Sequence, residues 1–258
     1  MDQLRKDTVS GPDHMSTHFS EWKGFGEYIN KLKERGLKKI FLSSTNTDPL
    51  DYKYFGDLVS YLQDDLGFSI GIRTSGYLLG NNVEPVSRMR DEISFSINSF
   101  DRNTFKKITG SDQFVDTDAI FNFIEKYGEG RNIRVSIVIT KYNVEDANKL
   151  IDKIRDRKLK VRYVQFRKVY RRVPIDGDEN QMIFDRIKKD FSSKYHKVGG
   201  YFESDMFDVN GVTVSFWEDV FCIKNVKSVN YWINGVETEN SLLVDGYVEG
   251  RKILYEGN

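Results

Sequence analysis

The sequence has few of the residues that hold metals or form disulfides. Its 258 residues include one cysteine, Cys222, and three histidines, His14, His18 and His196. A single cysteine excludes an internal disulfide and a metal cage built from several thiolates. His14 and His18 are four positions apart, but a metal site needs further ligands, so we expect no metal site here.

An excess of one charge and long apolar runs are also missing. The 39 lysines and arginines balance the 39 aspartates and glutamates, so no overall charge attracts nucleic acid or an anionic membrane. No run approaches about eighteen apolar residues, and the polar N-terminus has no secretory apolar segment. We therefore expect a cytoplasmic protein without a membrane partner. The basic, aromatic stretch "FRKVYRRV" at 166–173 favours a solvated rim over a nucleic-acid contact.

From about residue 38, apolar runs alternate with helical patterns. This alternation indicates parallel strands joined by helical crossovers, hence an α/β fold. It leaves open a doubly wound open sheet or a full or partial α/β barrel. In the helical pattern that starts near residue 143, Asn143 is the predicted N-cap. Strands are predicted near residues 40–44, 69–73, 93–97, 134–139 and 161–166.

After about residue 200 the pattern changes to hairpins. Asn210-Gly211 and Asn234-Gly235 each lie between strand-like runs, and Asn-Gly is a strong hairpin signal. We therefore predict a C-terminal antiparallel β appendage. The predicted organisation is an N-terminal segment with a first helix at 1–37, an α/β region at 38–198 and the appendage at 199–258.

The stretch "IFLSSTNTDPLDYKYFGDLVSYL" begins at Ile40 and combines a strand, small polar residues, Asp48-Pro49 and a helix. It resembles the radical S-adenosylmethionine (radical SAM) superfamily, where the corresponding strand ends in a small-residue motif. The segments "GIRTSGYLL", "EISFSINSFDRNTFKKITG" and "RVSIVITKYNVEDANKLIDKI" resemble the elements that follow. The resemblance covers roughly residues 5–170. It implies a partial (β/α) barrel of the radical SAM type.

In this register Thr8, Pro12 and Met15 stand where the family has three cysteines spaced C-x3-C-x2-C. The resemblance implies that those thiolates hold a [4Fe–4S] cluster, whose remaining iron binds S-adenosylmethionine (SAM). Cluster ligands of this kind are thiolates. Threonine, proline and methionine supply none, so the chain as written is predicted to have no cofactor of this kind. A cluster is expected only if the ancestral cysteines were present.

Two other interpretations of residues 1–15 remain open. The spacing of these three residues is a coincidence, or part of the segment derives from a cloning junction, where His-Met is common. The family's first strand should also precede the cluster loop, and here only the polar "MDQLRKD" is available. A barrel that lacks this strand leaves the edge of the next strand to be covered by something else.

Polar residues at the end of the first predicted strand are the first candidates for a ligand site. By resemblance, Ser43, Ser44 and Thr45 would contact the ammonium group of SAM. The glutamate usual in this motif is missing. Asp48 either replaces it or caps the helix that begins at Pro49.

Later strand ends supply the remaining candidates. Ser96 and Asn98 stand where family members bind ribose, and Thr140 and Gln165 lie near the ends of later strands. Ordinary hydrogen bonding at a strand end is the alternative role of these residues. Two arginines, Arg73 and Arg167, either point into the cavity as anion binders or stay on the surface, and Trp217 is interpreted as hairpin packing.

These observations support three hypotheses about function. The first is a degenerate radical SAM-like protein, a pseudoenzyme that binds a nucleoside-type ligand, SAM weakly, or a protein partner. The second is a modified form of a radical SAM enzyme that cleaves SAM to a 5′-deoxyadenosyl radical, or an enzyme of non-radical chemistry. The third is a protein-interaction module that uses the barrel edge or the β appendage.

Overall fold

A computed structural model describes residues 15–22, 24–43, 47–169, 177–201, 204–217, 228–231, 236–240 and 252–256. The chain divides into two compact units. The first unit comprises Met1–Thr74, Asn81–Asp91 and Ile223–Asn258, and the second comprises Ser75–Gly80 and Glu92–Cys222. The boundaries predicted from sequence after residues 37 and 198 stay predictions.

The first unit begins with strand–helix alternation. Its elements are α1 (Phe25–Glu34), β1 (Lys39–Leu42), α2 (Phe55–Ser60), β2 (Ser69–Thr74) and α3 (Val83–Ser87). Strands β1 and β2 are parallel, with Phe41 opposite Gly71. Ile70 and Ile72 of β2 are fully buried, as is Val59 of α2. Burying each such side chain contributes about 1.5–3 kcal/mol.

The helical pattern that follows β1 folds as three short pieces instead of one helix. A 3₁₀ turn spans Pro49–Asp51, α2 follows, and a π-helical turn spans Tyr61–Asp65. The Leu66 amide donates to the carbonyl of Tyr61, which is the five-residue spacing of a π turn. Gly67 adopts φ 76° beyond the last turn, as a glycine that ends a helix should.

The second unit contains most of the sheet. Its elements are β3 (Ile93–Ser96), α4 (Arg102–Thr109), α5 (Thr117–Tyr127), β4 (Ile133–Val138), α6 (Val144–Asp156), β5 (Tyr163–Arg167), α7 (Glu179–Lys194), β6 (His196–Tyr201), β7 (Ser204–Val209) and β8 (Val212–Trp217). The strand order is β3-β4-β5-β8-β7-β6. Pairings from β3 to β8 are parallel, and those that involve β7 are antiparallel. The predicted α/β class is confirmed, and every predicted strand forms.

One face of this sheet carries the apolar core of the second unit. The rings of Phe166 and Phe216 lie 5.3 Å apart, and Phe191 of α7 lies 5.6 Å and 5.2 Å from them. These edge-on contacts are the arrangement that aromatic rings prefer. Helix α7 therefore covers the apolar face of β5 and β8.

The hairpin predicted at Asn210-Gly211 is confirmed. Both residues have positive φ, 54° and 87°, which suits a two-residue turn between β7 and β8. On its other side β8 pairs in parallel with β5, so this hairpin extends the sheet of the second unit. In the first unit, β9 (Ser228–Tyr231), β10 (Val236–Asn240) and β11 (Lys252–Glu256) form a three-stranded antiparallel sheet. Asn234-Gly235 lies outside the described residues.

Within the described part of the chain, no helix has both the length and the apolar character needed to cross a lipid bilayer.

Candidate ligand-binding site

The sheet of the second unit has one polar face. Register pairing places Ser96, Ser136, Gln165 and Ser215 side by side across β3, β4, β5 and β8. Their neighbours along each strand, such as Phe95, point to the opposite, apolar face because strand side chains alternate. The strands look continuously apolar in sequence, yet β3, β4 and β5 each have polar residues at every second position, as Ser-x-Ser, Arg-x-Ser and Gln-x-Arg. This spacing of two is the sequence pattern that indicates a polar face.

A buried ionic network occupies the amino-terminal end of the polar face. Arg134 is 7 % exposed, and its Nη2 lies 3.1 Å from Oε1 of Glu92. Its Nε donates to Ser94 Oγ at 3.0 Å, and its Nη1 donates to Gln165 Oε1 at 3.3 Å. These bonds satisfy the guanidinium, as a buried charge requires. Gln165, predicted as a ligand contact, thus has its side-chain oxygen engaged within the protein.

Polar groups near the carboxyl end of β3 are more accessible. Ser96 is half-buried, and its Oγ lies 3.1 Å from the Oγ of Ser136. Asn98, just beyond the strand, is half-buried, and its Oδ1 accepts from the Val138 amide at 3.1 Å. Its side-chain nitrogen makes no hydrogen bond to any residue that the structure describes. Asn98 can therefore offer an N–H donor to a ligand.

Thr140 and Asn143 build the turn between β4 and α6. Asn143 Oδ1 accepts from the Thr140 amide at 2.8 Å and from its hydroxyl at 3.0 Å. The Thr140 Oγ1 in turn accepts from the Tyr142 amide at 3.2 Å. Asn143 precedes α6 as predicted, but its side chain makes no capping bond to the helix, because it turns back toward Thr140. The predicted N-cap position of Asn143 is therefore confirmed, and its backbone carbonyl, not its side chain, accepts from the first turn of α6.

Arg167 and Trp217 are neighbours on the polar face at the carboxyl ends of β5 and β8. Both are half-buried, and the alternation that places Gln165 and Ser215 on this face places them there too. Which of its two predicted alternatives applies to Arg167, an anion binder in a cavity or a surface residue, stays a prediction. Trp217, interpreted from sequence as hairpin packing, lies on β8 of the β7–β8 hairpin, and that interpretation stays a prediction. The β5–β8 pairing also places Trp217 beside Arg167.

Gly76 packs against the apolar core of the second unit. It has φ 82°, and a Cβ at this position would lie 2.9 Å from Cδ1 of Ile120 and 3.3 Å from Cδ1 of Phe95. Both the backbone conformation and the space therefore favour glycine.

In the first unit, Asp48 has the capping role that was its predicted alternative. Its Oδ1 accepts from the Leu50 amide at 3.0 Å and from Thr74 Oγ1 at 2.6 Å. The Asp48 amide donates to Oδ2 of Asp51 at 3.0 Å, which completes a capping box. Its predicted contact with an ammonium group stays a prediction.

The serine and threonine candidates of the first strand are only partly described. Ser43 is exposed just after β1, whereas Ser44 and Thr45 lie outside the described residues. Nearby, the Arg73 guanidinium lies 5.8 Å from the centre of the Phe41 ring. Whether these residues share a pocket with Ser96 and Asn98 stays a prediction.

The segment that follows the predicted cluster positions is anchored by aromatic residues. The Tyr52 hydroxyl donates to the Thr17 carbonyl at 2.9 Å, and burial raises the pKa of Tyr52. Trp22 packs 5.0 Å from the Tyr52 ring, and the Lys53 amide donates to the Met15 carbonyl at 3.1 Å. Of the three predicted positions, Thr8 and Pro12 lie outside the described residues.

The residues at these positions do not fit a [4Fe–4S] cluster. Met15 has only a neutral thioether, and threonine and proline have no sulfur. Within the described ranges, no group of three or more His, Cys, Asp or Glu side chains is placed to hold a metal ion. Nδ1 of His18 instead lies 2.7 Å from the Ser20 hydroxyl.

No protein-family model matches the chain, and no curated protein matches it significantly. Solved structures do match. SuiB from Streptococcus suis, bound to S-adenosylmethionine, aligns with a TM-score of 0.50 and 13 % identity over 79 % of this chain and 44 % of SuiB. A second SuiB structure aligns with a TM-score of 0.50 and 15 % identity over 79 % of this chain and 43 % of SuiB.

The chain thus spans less than half the length of these SuiB structures. At this identity the likeness shows the fold alone. It confirms the predicted fold class, an α/β partial barrel of the radical SAM type with antiparallel strands toward the C-terminus.

Proposed function

We propose that this chain is a radical SAM-like fold that binds a nucleoside-type ligand without a cluster held by three cysteines. The ligand would lie on the polar face of the second unit, at the carboxyl ends of β3, β4, β5 and β8. In parallel α/β folds ligands bind at this end of the strands. The observation that carries the proposal is the half-buried pair Arg167 and Trp217, beside one another on the polar face.

The groups at this end match the parts of a nucleoside. Trp217 offers an aromatic surface, and stacking of a base on such a surface is worth about 1–3 kcal/mol. The amide nitrogen of Asn98 and the hydroxyl of Ser96 offer hydrogen bonds of the kind that ribose hydroxyls make. Arg167 supplies a positive charge beside the indole, where a carboxylate or phosphate of the ligand would be favoured.

Without the three cysteine thiolates, we expect little preference for SAM over adenosine. In the family that the chain resembles, the cluster and a glutamate anchor the methionine part of SAM, and this chain lacks the three cysteines and that glutamate. Hydrogen bonds in such sites are worth about 0.5–1.5 kcal/mol each, and more when charged. We therefore expect the dissociation constants of adenosine and SAM to differ by less than about tenfold. Both constants should lie in the high micromolar range or above.

Isothermal titration calorimetry with adenosine, SAM and S-adenosylhomocysteine tests this proposal. We expect Trp217→Ala to weaken adenosine binding about tenfold or more, from loss of stacking. Trp217→Phe should keep most of the affinity. Asn98→Ala and Ser96→Ala should each weaken adenosine binding, whereas Met182→Ala, an exposed control, should not. No heat with millimolar adenosine, or tight SAM binding that survives Ser96→Ala and Asn98→Ala, would overturn the assignment.

The outer edge of β1 favours a second candidate function, the binding of a protein partner at the barrel edge. Among the described residues β2 is the one strand that pairs with β1 in the first unit. Lys38 bonds to β2 through its carbonyl, so Lys39 and Phe41 direct their backbone groups to the other edge, because strand groups alternate. The Phe41 side chain is 41 % exposed. Phe41→Asp would abolish such an interaction and leave adenosine binding unchanged.

A further inference from the structure

A cavity lies in the second unit, on the helix-covered side of its sheet. Its volume is ≈ 520 Å³, and α6, α7 and the turn between β7 and β8 line it. The turn residue Asn210, which lines it, precedes β8, so this part of the lining lies near the amino-terminal end of that strand. It is thus distinct from the face where we place the nucleoside-type ligand. Ligand pockets typically have volumes of about 300–1,000 Å³.

The floor of this cavity is apolar. Ile151 of α6, Ile187 and Phe191 of α7, and Val209 of β7 are each at most 9 % exposed and line it together. An apolar group placed against these side chains would lose contact with water, which is the main source of affinity in such pockets.

The rim of the cavity is charged, with positive groups in excess. Arg155 is already paired with Asp152 at 2.9 Å. Arg186 and Lys194 of α7 form no salt bridge within the described part of the chain. Asp190 lies four residues from each of them, a spacing that often allows a pair, yet it bridges neither among the described residues. Two cations and one anion at the rim are therefore unpaired among the residues that the structure describes, and they can meet a ligand.

We propose that this cavity binds a small organic anion with an apolar body, such as a medium-chain carboxylate. The apolar part would cover Ile151, Ile187 and Phe191, and the carboxylate would lie at the rim between Arg186 and Lys194. A cationic amphiphile of the same chain length would meet an excess of like charge. The inference stands on the second unit alone and does not depend on the nucleoside site.

Calorimetric titration of the full chain with octanoate, and with octylammonium as the cationic counterpart, tests the proposal. We expect octanoate to bind, and octylammonium to bind at least about tenfold more weakly, because the unpaired rim charge is positive. The double variant Arg186→Glu with Lys194→Glu should weaken octanoate at least about tenfold. Lys189→Glu, an exposed charge reversal on α7 outside the cavity lining, should leave the octanoate affinity within about twofold of the unaltered chain.

A space-filling variant tests the location independently of charge. Asn148→Trp places a large ring in the cavity lining and should abolish octanoate binding. Ser193→Trp, on an exposed site of α7 outside the lining, should not. The unfolding temperatures of all variants would show that each is folded. The proposal is overturned if octanoate gives no heat, if octylammonium binds as tightly, or if Asn148→Trp leaves octanoate binding intact.

Discussion

The Asp48 side chain joins two segments of the first unit. It caps the turn at Pro49–Asp51 and accepts the hydroxyl hydrogen of Thr74 in β2. It is 7 % exposed, so water replaces these bonds poorly. The motif that suggested a SAM contact thus has a clear structural task.

We expect Asp48→Ala to lower the free energy of unfolding by about 2 kcal/mol. Loss of an N-cap costs about 0.5–2 kcal/mol, and loss of a buried hydrogen bond adds to it. Asp48→Asn should cost less, because an amide oxygen can still accept from the Leu50 amide. Urea unfolding of the three proteins measures the difference. Equal stability of Asp48→Ala and the unaltered chain would show that the capping box contributes nothing.

Asn143 plays a comparable part in the second unit. It is 1 % exposed, accepts twice from Thr140, and donates to the carbonyls of Asn98 at 2.8 Å and Val138 at 2.7 Å. We expect Asn143→Ala to lower the free energy of unfolding by about 3 kcal/mol, because several buried polar groups lose their partner. Asn143→Asp keeps the accepted bonds but not the donated ones and should lie between. Asn148→Ala, an exposed control on α6, should cost far less.

At the scale of elements, one carboxylate joins α7, β6 and β7. Asp205 of β7 forms a salt bridge with Lys197 of β6 and lies 3.0 Å from the Lys188 ammonium of α7. Hydrogen bonding to Lys197 first, and to Lys188 second, lowers the pKa of Asp205. The folded state therefore binds this proton less readily than the unfolded chain does.

Because the pKa of Asp205 is lower in the folded than in the unfolded state, the direction in which pH changes the free energy of unfolding can be predicted. The stabilisation by Asp205 is complete above the unfolded pKa of about 4 and is lost as the pH falls through the folded pKa. We expect Asp205→Asn to be less stable than the unaltered chain at neutral pH. We also expect it to lose less stability on acidification. Urea unfolding at a series of pH values measures both, and Asp190→Asn, whose carboxylate makes no salt bridge in the described residues, should keep the original slope.

At the scale of the whole molecule, the fold and the cysteine content point to different expectations about a cluster. The chain shares the SuiB fold over 79 % of its length, yet its one cysteine cannot replace three clustered thiolates. We expect the protein to remain colourless after anaerobic reconstitution with iron and sulfide. Iron analysis and the visible spectrum measure this.

A matched control sharpens that expectation. A triple variant, Thr8→Cys with Pro12→Cys and Met15→Cys, restores the C-x3-C-x2-C spacing and should take up iron if the register of this segment is right. Iron uptake and a broad absorbance near about 400 nm by the unaltered chain, by contrast, would show that other residues are the ligands.

The sequence by itself determined the α/β class, the positions of the strands and the Asn210-Gly211 hairpin, because each depends on local signals. Apolar runs mark buried strands, and an Asn-Gly pair accepts the positive φ that a tight turn needs. It also shows that these 258 residues contain no C-x3-C-x2-C motif, since Cys222 is their one cysteine.

Only the tertiary structure decided which polar residues meet. Arg134 of β4 contacts Ser94 of β3 and Gln165 of β5. It also contacts Glu92, the residue before β3. Arg167 and Trp217 are 50 positions apart and become neighbours because β8 pairs in parallel with β5. The Asn143 side chain accepts two hydrogen bonds from Thr140 and makes none to the helix that it precedes. Strand register and side-chain competition are properties of the assembled sheet, and no local pattern encodes them.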